Sequence, residues 1–196
     1  MSPRPLAALA IALLAWPLAS CETPPKEPFP EITFTDRPPI KLDAARIELV
    51  EEFVAAADPT HVEHLFPVAP AVAARRWVQD RLLPVGNART VRVTLVNAGA
   101  IETPLQTKTG VEGFFTTEPE RRYEVQVEMR IEILSEGSRY VESYARSAAS
   151  IARTVPEDAT LEERDSILYH LTEDTLRTLD KEFSATIERH LASYIR

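Results

Sequence analysis

The clearest pattern in the chain is an alternation between residues 123 and 133. Tyr123, Val125, Val127, Met129, Ile131 and Ile133 are apolar, and Glu124, Gln126, Glu128, Arg130 and Glu132 between them are polar. A period of two places the two sets on opposite faces of a β-strand, one dry and one wet. Such a strand belongs to an antiparallel sheet covered on one side. Ser135-Glu136-Gly137-Ser138 follows as a hairpin turn, with Gly137 free to take positive φ. The return strand, about 139–154, is rich in small residues, Ala145, Ala148, Ala149 and Ala152 among them. Small side chains let a helix come close to the sheet.

A period near 3.6 takes over at the C-terminal end. Leu168, Leu171, Thr175, Leu179, Phe183, Ile187 and Leu191 recur every three or four residues. Thr160 and Glu163 stand at the N-cap and N3 positions of a capping box, so the helix is predicted from Thr160 to near Tyr194. One apolar stripe with charged flanks is the mark of a helix lying on a sheet; a coiled-coil dimer is the competing explanation. A second helix is predicted over 70–83, with Val72, Ala73, Trp77 and Leu83 facing inward and Arg75, Arg76 and Asp80 more exposed. Val91, Val93 and Leu95 alternate with Arg92 and Thr94 as a half-buried strand, and 100–117, with Gly110 and Gly113, reads as a Thr-rich excursion. Residues 44–55 fit strand and helix periods alike, with strand preferred. The whole is read as α+β: a mostly antiparallel sheet with two helices packed on one face and a long C-terminal helix.

The N-terminal residues follow neither pattern. Residues 6–16 form an unbroken apolar run of eleven, roughly 16 Å as a helix. A bilayer needs about 20 residues, so the run fits the h-region of a secretory signal, with Arg4 in the n-region and Pro17 ending it. A buried first helix is the alternative, but nothing polar shapes a face on the run. Leu18-Ala19-Ser20-Cys21 comes next, and Cys21 is the chain's one cysteine. This tetrapeptide resembles the lipobox of bacterial lipoproteins, an aliphatic residue and two small ones before Cys; the resemblance covers the first 21 residues. A plain signal peptide with a chance Cys is the rival reading. The resemblance implies cleavage before Cys21, a diacylglyceryl group on its sulfur and an acylated amino terminus. Two or three fatty chains on one residue hold a protein durably, where one chain anchors only marginally. Residue 22 is Glu, not the Asp that in the lipoprotein sorting pattern commonly signals inner-membrane retention, which favours the outer membrane.

Residues 22–41 contain six prolines, Pro24, Pro25, Pro28, Pro30, Pro38 and Pro39. Such a stretch cannot be helical, and in polyproline geometry reaches on the order of 50–60 Å. It reads as a spacer, with a ligand for a proline-binding domain as the rival. Ile32-Thr33-Phe34-Thr35 interrupts it with strand formers that could add an edge strand. The expected organisation is a signal peptide (1–20), a lipidated Cys and tether (21–41) and one periplasmic α+β domain (42–196).

The 196 residues carry a formal charge of −8, which becomes −9 once residues 1–20 and their Arg4 are removed. That argues against a nucleic-acid partner, and also against lipid attraction through a basic patch. A single Cys excludes an internal disulfide framework. Phosphate-binding glycine loops, H-E-x-x-H and G-x-S-x-G are absent from the sequence. His61-Val62-Glu63-His64 is the one cluster resembling a metal site, although it follows Asp58-Pro59 and reads as an exposed turn. His170 and His190, twenty positions apart on one helix, point about 160° apart. No catalytic, cofactor-binding or metal residue is therefore assigned, and the one site residue is Cys21, for lipid attachment. The expected function is non-enzymatic: an envelope assembly, scaffold or interaction lipoprotein, with an unidentified envelope protein as partner. The alternative is a lipid- or ligand-handling accessory of a transport system, since the layout is similar to that of auxiliary lipoproteins of ABC systems. A pocket lined by Val127, Met129 and Leu179 would mark that alternative.

Overall fold

The computed structural model describes residues 28–105, 119–138, 140–156 and 158–196. In chain order the elements are β1 (Ile40–Leu42), β2 (Arg46–Glu51), α1 (Pro70–Arg81), β3 (Leu82–Pro84), β4 (Thr90–Pro104), β5 (Pro119–Leu134), β6 (Val141–Pro156) and α2 (Leu161–His190). The main sheet has the order β2-β4-β5-β6, with both pairings of β5 antiparallel and β2 parallel to β4. A parallel neighbour needs a crossover, and the one from β2 to β4 carries α1. β1 and β3 form a separate parallel pair, Ile40 opposite Leu82. The fold is α+β, and of its two α-helices among the described residues the C-terminal one is long, as the two periods predict.

The strongest alternation gives the deepest layer. Tyr123, Val125, Val127, Met129, Ile131 and Ile133 are all at most 1% exposed, beneath Ala73, Ala74, Trp77 and Val78 of α1 and the stripe Leu168 to Ile187 of α2. Trp77 stacks on Phe183 at 5.2 Å between centroids. The stripe on α2 is thus consumed inside the domain. Its N-cap is the expected capping box, Thr160 and Glu163 bonding reciprocally. Ala145 and Ala149 of β6 are buried. Gly137 has φ +66° in the β5–β6 turn.

Several expectations are corrected. β4 does not stop at Leu95. A bulge between Leu95 and Asn97 shifts the register by one residue, so Val91, Val93 and Leu95 face the core before it and Ala98 and Ala100 after it. The strand then runs to Pro104, through part of the expected excursion; Gly110 and Gly113 lie outside the described residues. α1 ends at Arg81, and its buried face carries Ala73, Ala74, Trp77, Val78 and Arg81. Val72 and Leu83, expected inward, are 48% and 41% exposed. α2 ends at His190; a 3-10 turn over Ala192–Tyr194 returns the chain, and Arg196 donates its backbone N–H to Lys41 O at 3.0 Å.

The largest correction concerns the proline-rich stretch. From Phe29 onward it lies along the domain as a strap. Phe34 is fully buried, Ile32 is 3% exposed, and Phe29 stacks on Tyr169 at 5.0 Å. Ile32 to Thr35 form no strand. Prolines exclude a helix without excluding a docked extended chain, and two large apolar side chains give that chain something to bury. The boundary expected at residue 42 therefore moves back to about residue 29. The expected signal peptide, Cys21 and residues 22–27 lie outside the described residues.

Candidate functional site

Four places gather polar or exposed groups. At the first, the segment after β2 returns to the edge of β4. His61 pairs with Ile101, Val62 N–H donates to Ala100 O at 2.9 Å, and Glu102 N–H donates to Thr60 O at 2.8 Å. Just past the bulge, Ala100 N–H donates to Glu63 Oε1 at 3.0 Å, and His61 Nδ1 lies 3.1 Å from the same oxygen. Burial pushes the Glu63 carboxyl up, but the bonds from Ala100 and His61 outweigh it and leave it below the usual range. His61 and Glu63 thus plug a sheet irregularity, while His64 is exposed. Among the described residues no three metal-ligating side chains converge. His170 and His190 are both exposed, far apart on α2.

The second place is the seam where strap, α1 and α2 meet. Asp180 of α2 is 1% exposed. Its Oδ1 accepts from Trp77 Nε1 and from Arg81 Nε, both at 2.8 Å, and its Oδ2 accepts from Arg37 Nη1 at 2.9 Å. Arg81 also donates to Pro38 O. Further along the same seam Phe34 N–H donates to Asp80 Oδ2 at 2.9 Å, Arg177 reaches Asp36 at 3.1 Å, and the Arg177 guanidinium lies over the Phe34 ring. A buried carboxylate with this many donors is satisfied, and its chemistry is spent on holding the strap.

The open face of the sheet is the third. Gln126 and Ser150 donate to Glu124 Oε1, and Arg122 to Glu124 Oε2, at 2.8–3.0 Å. Arg146 pairs with Glu128, and Arg130 with Glu52. These bonds keep the Glu124 carboxyl below its usual range. Such exposed pairs are screened by water and add little to stability; they give a solvated surface. On the covered face, burial with a hydrogen bond to Glu102 pushes the Tyr123 phenol up to about 12.

The fourth is a groove of about 300 Å³ between strap and α1, lined by Phe29, Ile32, Val68, Val72, Arg75 and Arg76 among others. The sequence pattern missed it, because Val72 reads as core. Val127, Met129 and Leu179, by contrast, are packed solid at 0–1% exposure and do not line this groove. Among the described residues no helix is long and apolar enough to cross a membrane.

No protein-family model matches the chain, and no curated protein matches it. Three solved structures are similar in outline. Rare lipoprotein B from Shewanella oneidensis has 11% identity and a TM-score of 0.34, over 74% of this chain and 95% of that one. A Caulobacter crescentus protein described as a lipoprotein has 10% identity and a TM-score of 0.28, over 71% and 88%. A Xanthomonas campestris protein has 12% identity and a TM-score of 0.30, over 81% and 97%. At such scores the likeness does not bear on what this chain does.

Proposed function

We propose that the mature protein is a lipid-anchored envelope component, held by acylated Cys21 with its α+β domain in the periplasm, and that it works by assembly or scaffolding. The observation that carries this is the coincidence of an eleven-residue apolar run, a Leu-Ala-Ser-Cys tetrapeptide and the chain's one cysteine at residue 21. Glu22 in place of Asp favours the outer membrane. The way the domain is packed supports a scaffold: the sheet–α2 interface is filled by Val127, Met129 and Leu179, where a ligand-handling chamber would need room. The polar clusters around Glu63 and Asp180 each close a structural need, one at the bulge and one at the seam. The partner is an envelope protein, and the catalytic, cofactor and metal roles stay unassigned.

The test is fractionation. Wild-type protein sediments with membranes through a carbonate wash, and Cys21→Ser protein does not. A Cys21→Ser protein processed normally and still pelleted after the wash would overturn the reading.

A further inference from the structure

The groove between strap and α1 is built for an apolar occupant. Phe29 and Ile32 form one wall; Val68, Ala69, Val72 and Ala73 form the other. Val72 stands 48% exposed there, on a helix whose buried face lies elsewhere. Three features select the occupant. The first is hydrogen bonding. Pro67 and Pro70 have no N–H, and the N–H groups of Val72 and Ala73 already donate to Ala69 O, at 2.9 and 3.2 Å. At these four positions the α1 wall offers a bound peptide no free amide donor, whereas a hydrocarbon chain has no such groups to satisfy. The second is size: about 300 Å³ is the lower end of ligand sites, room for one chain rather than a whole two-chain lipid. The third is position. Phe29 stands eight residues after Cys21, which is at most about 28 Å of extended chain.

At the rim, Arg75 is held by Glu51 at 2.9 Å and Arg76 by Glu31 at 2.7 Å. Both are exposed pairs, which exchange partners cheaply. A lipid phosphate is a strong competitor for a guanidinium.

We propose that this groove takes one acyl chain of a phospholipid from the bilayer that holds Cys21, with the phosphate meeting Arg75 and Arg76. The proposal rests on the anchoring reading above, and turns the strap–α1 face of the domain toward the membrane.

The experiment is photolabelling of the full-length mature protein in phosphatidylethanolamine–phosphatidylglycerol liposomes. The probe is a phospholipid with a diazirine near the end of one acyl chain, and adducts are mapped by peptide mass spectrometry. Adducts are expected to concentrate in residues 67–79. They should fall at least fivefold in Val72→Glu and about twofold in the Arg75→Gln, Arg76→Gln pair, with thermal melting of both variants as the folding control. Adducts spread evenly over the surface would overturn the proposal. So would unchanged labelling in a Val72→Glu protein that melts like wild type, or an unlabelled groove, as when Cys21's own acyl chain fills it. A parallel sample in detergent micelles doped with the probe tests the bilayer as the source of the lipid. Labelling at 67–79 in micelles but not in liposomes overturns the bilayer as the source. Acylation of Cys21, read separately from the intact mass, stands or falls on its own.

Discussion

Leu179 and Asp180 are consecutive residues of α2, at 0% and 1% exposure, yet they close different interfaces. Leu179 belongs to the hydrocarbon layer shared with the sheet. Asp180 gathers Trp77, Arg81 and Arg37 and locks the strap against both helices. The first interface is non-directional: it needs volume and dryness, and its energy follows the area removed from water. The second is directional, and much of its strength is the penalty of leaving any one member unpaired. A dry layer yields by degrees, whereas a buried charge cluster fails when one partner is lost.

The sharpest way to break this contrast is to truncate both neighbours. Asp180→Ala leaves Arg81 and the Trp77 N–H buried without an acceptor and should cost about 3–5 kcal/mol in urea unfolding. Leu179→Ala should cost about 2–5 kcal/mol by opening a cavity. The two are told apart by rescue: Asp180→Leu combined with Arg81→Met should recover part of the loss, because it removes the unpaired Arg81 charge while the Trp77 N–H stays without an acceptor. If the double variant is no more stable than Asp180→Ala, the seam is not held as described.

Phe34→Ala tests the strap itself. It should cost about 3–4 kcal/mol and open residues 35–39 to limited proteolysis. A freely hanging tether would show neither effect.

Smaller effects concern the sheet edge and the cap. Glu63 has a carboxyl held below its usual range in the folded protein, so its contribution is present above the unperturbed value of 4.5 and is lost as the pH falls below it. Glu63→Ala should cost about 1–3 kcal/mol at neutral pH and flatten the acid limb of the stability profile. A variant with the wild-type acid limb would contradict the role given to Glu63. Thr160→Ala, which removes one half of the capping box, should cost about 1 kcal/mol.

What could be read from the sequence follows from how local each signal is. The alternation in β5, the Gly137 turn and the Thr160–Glu163 cap are each written within a few residues, and each appears where expected. The strap was not legible. Six prolines exclude a helix, but the contacts that dock Phe34 and Arg37 span 46 and 143 positions. The pairing of Arg81 with Asp180, 99 positions apart, exists only in the fold, and no local pattern marks it. The bulge in β4 hid the second half of that strand, since a one-residue slip breaks the alternation that marks it. Of the candidate sites, the His61–Glu63 cluster was visible, though not its role as a plug. The groove was not visible, because Val72 faces outward by the turn of α1 that buries Arg81.

Cys21 is tested most directly by the mass of the amino-terminal peptide from protein extracted from membranes. The expected result is a chain that begins at Cys21 and carries a diacylglyceryl thioether, with a further acyl group on its amine. A chain that keeps Met1, or a Cys21 with a free thiol, would contradict it.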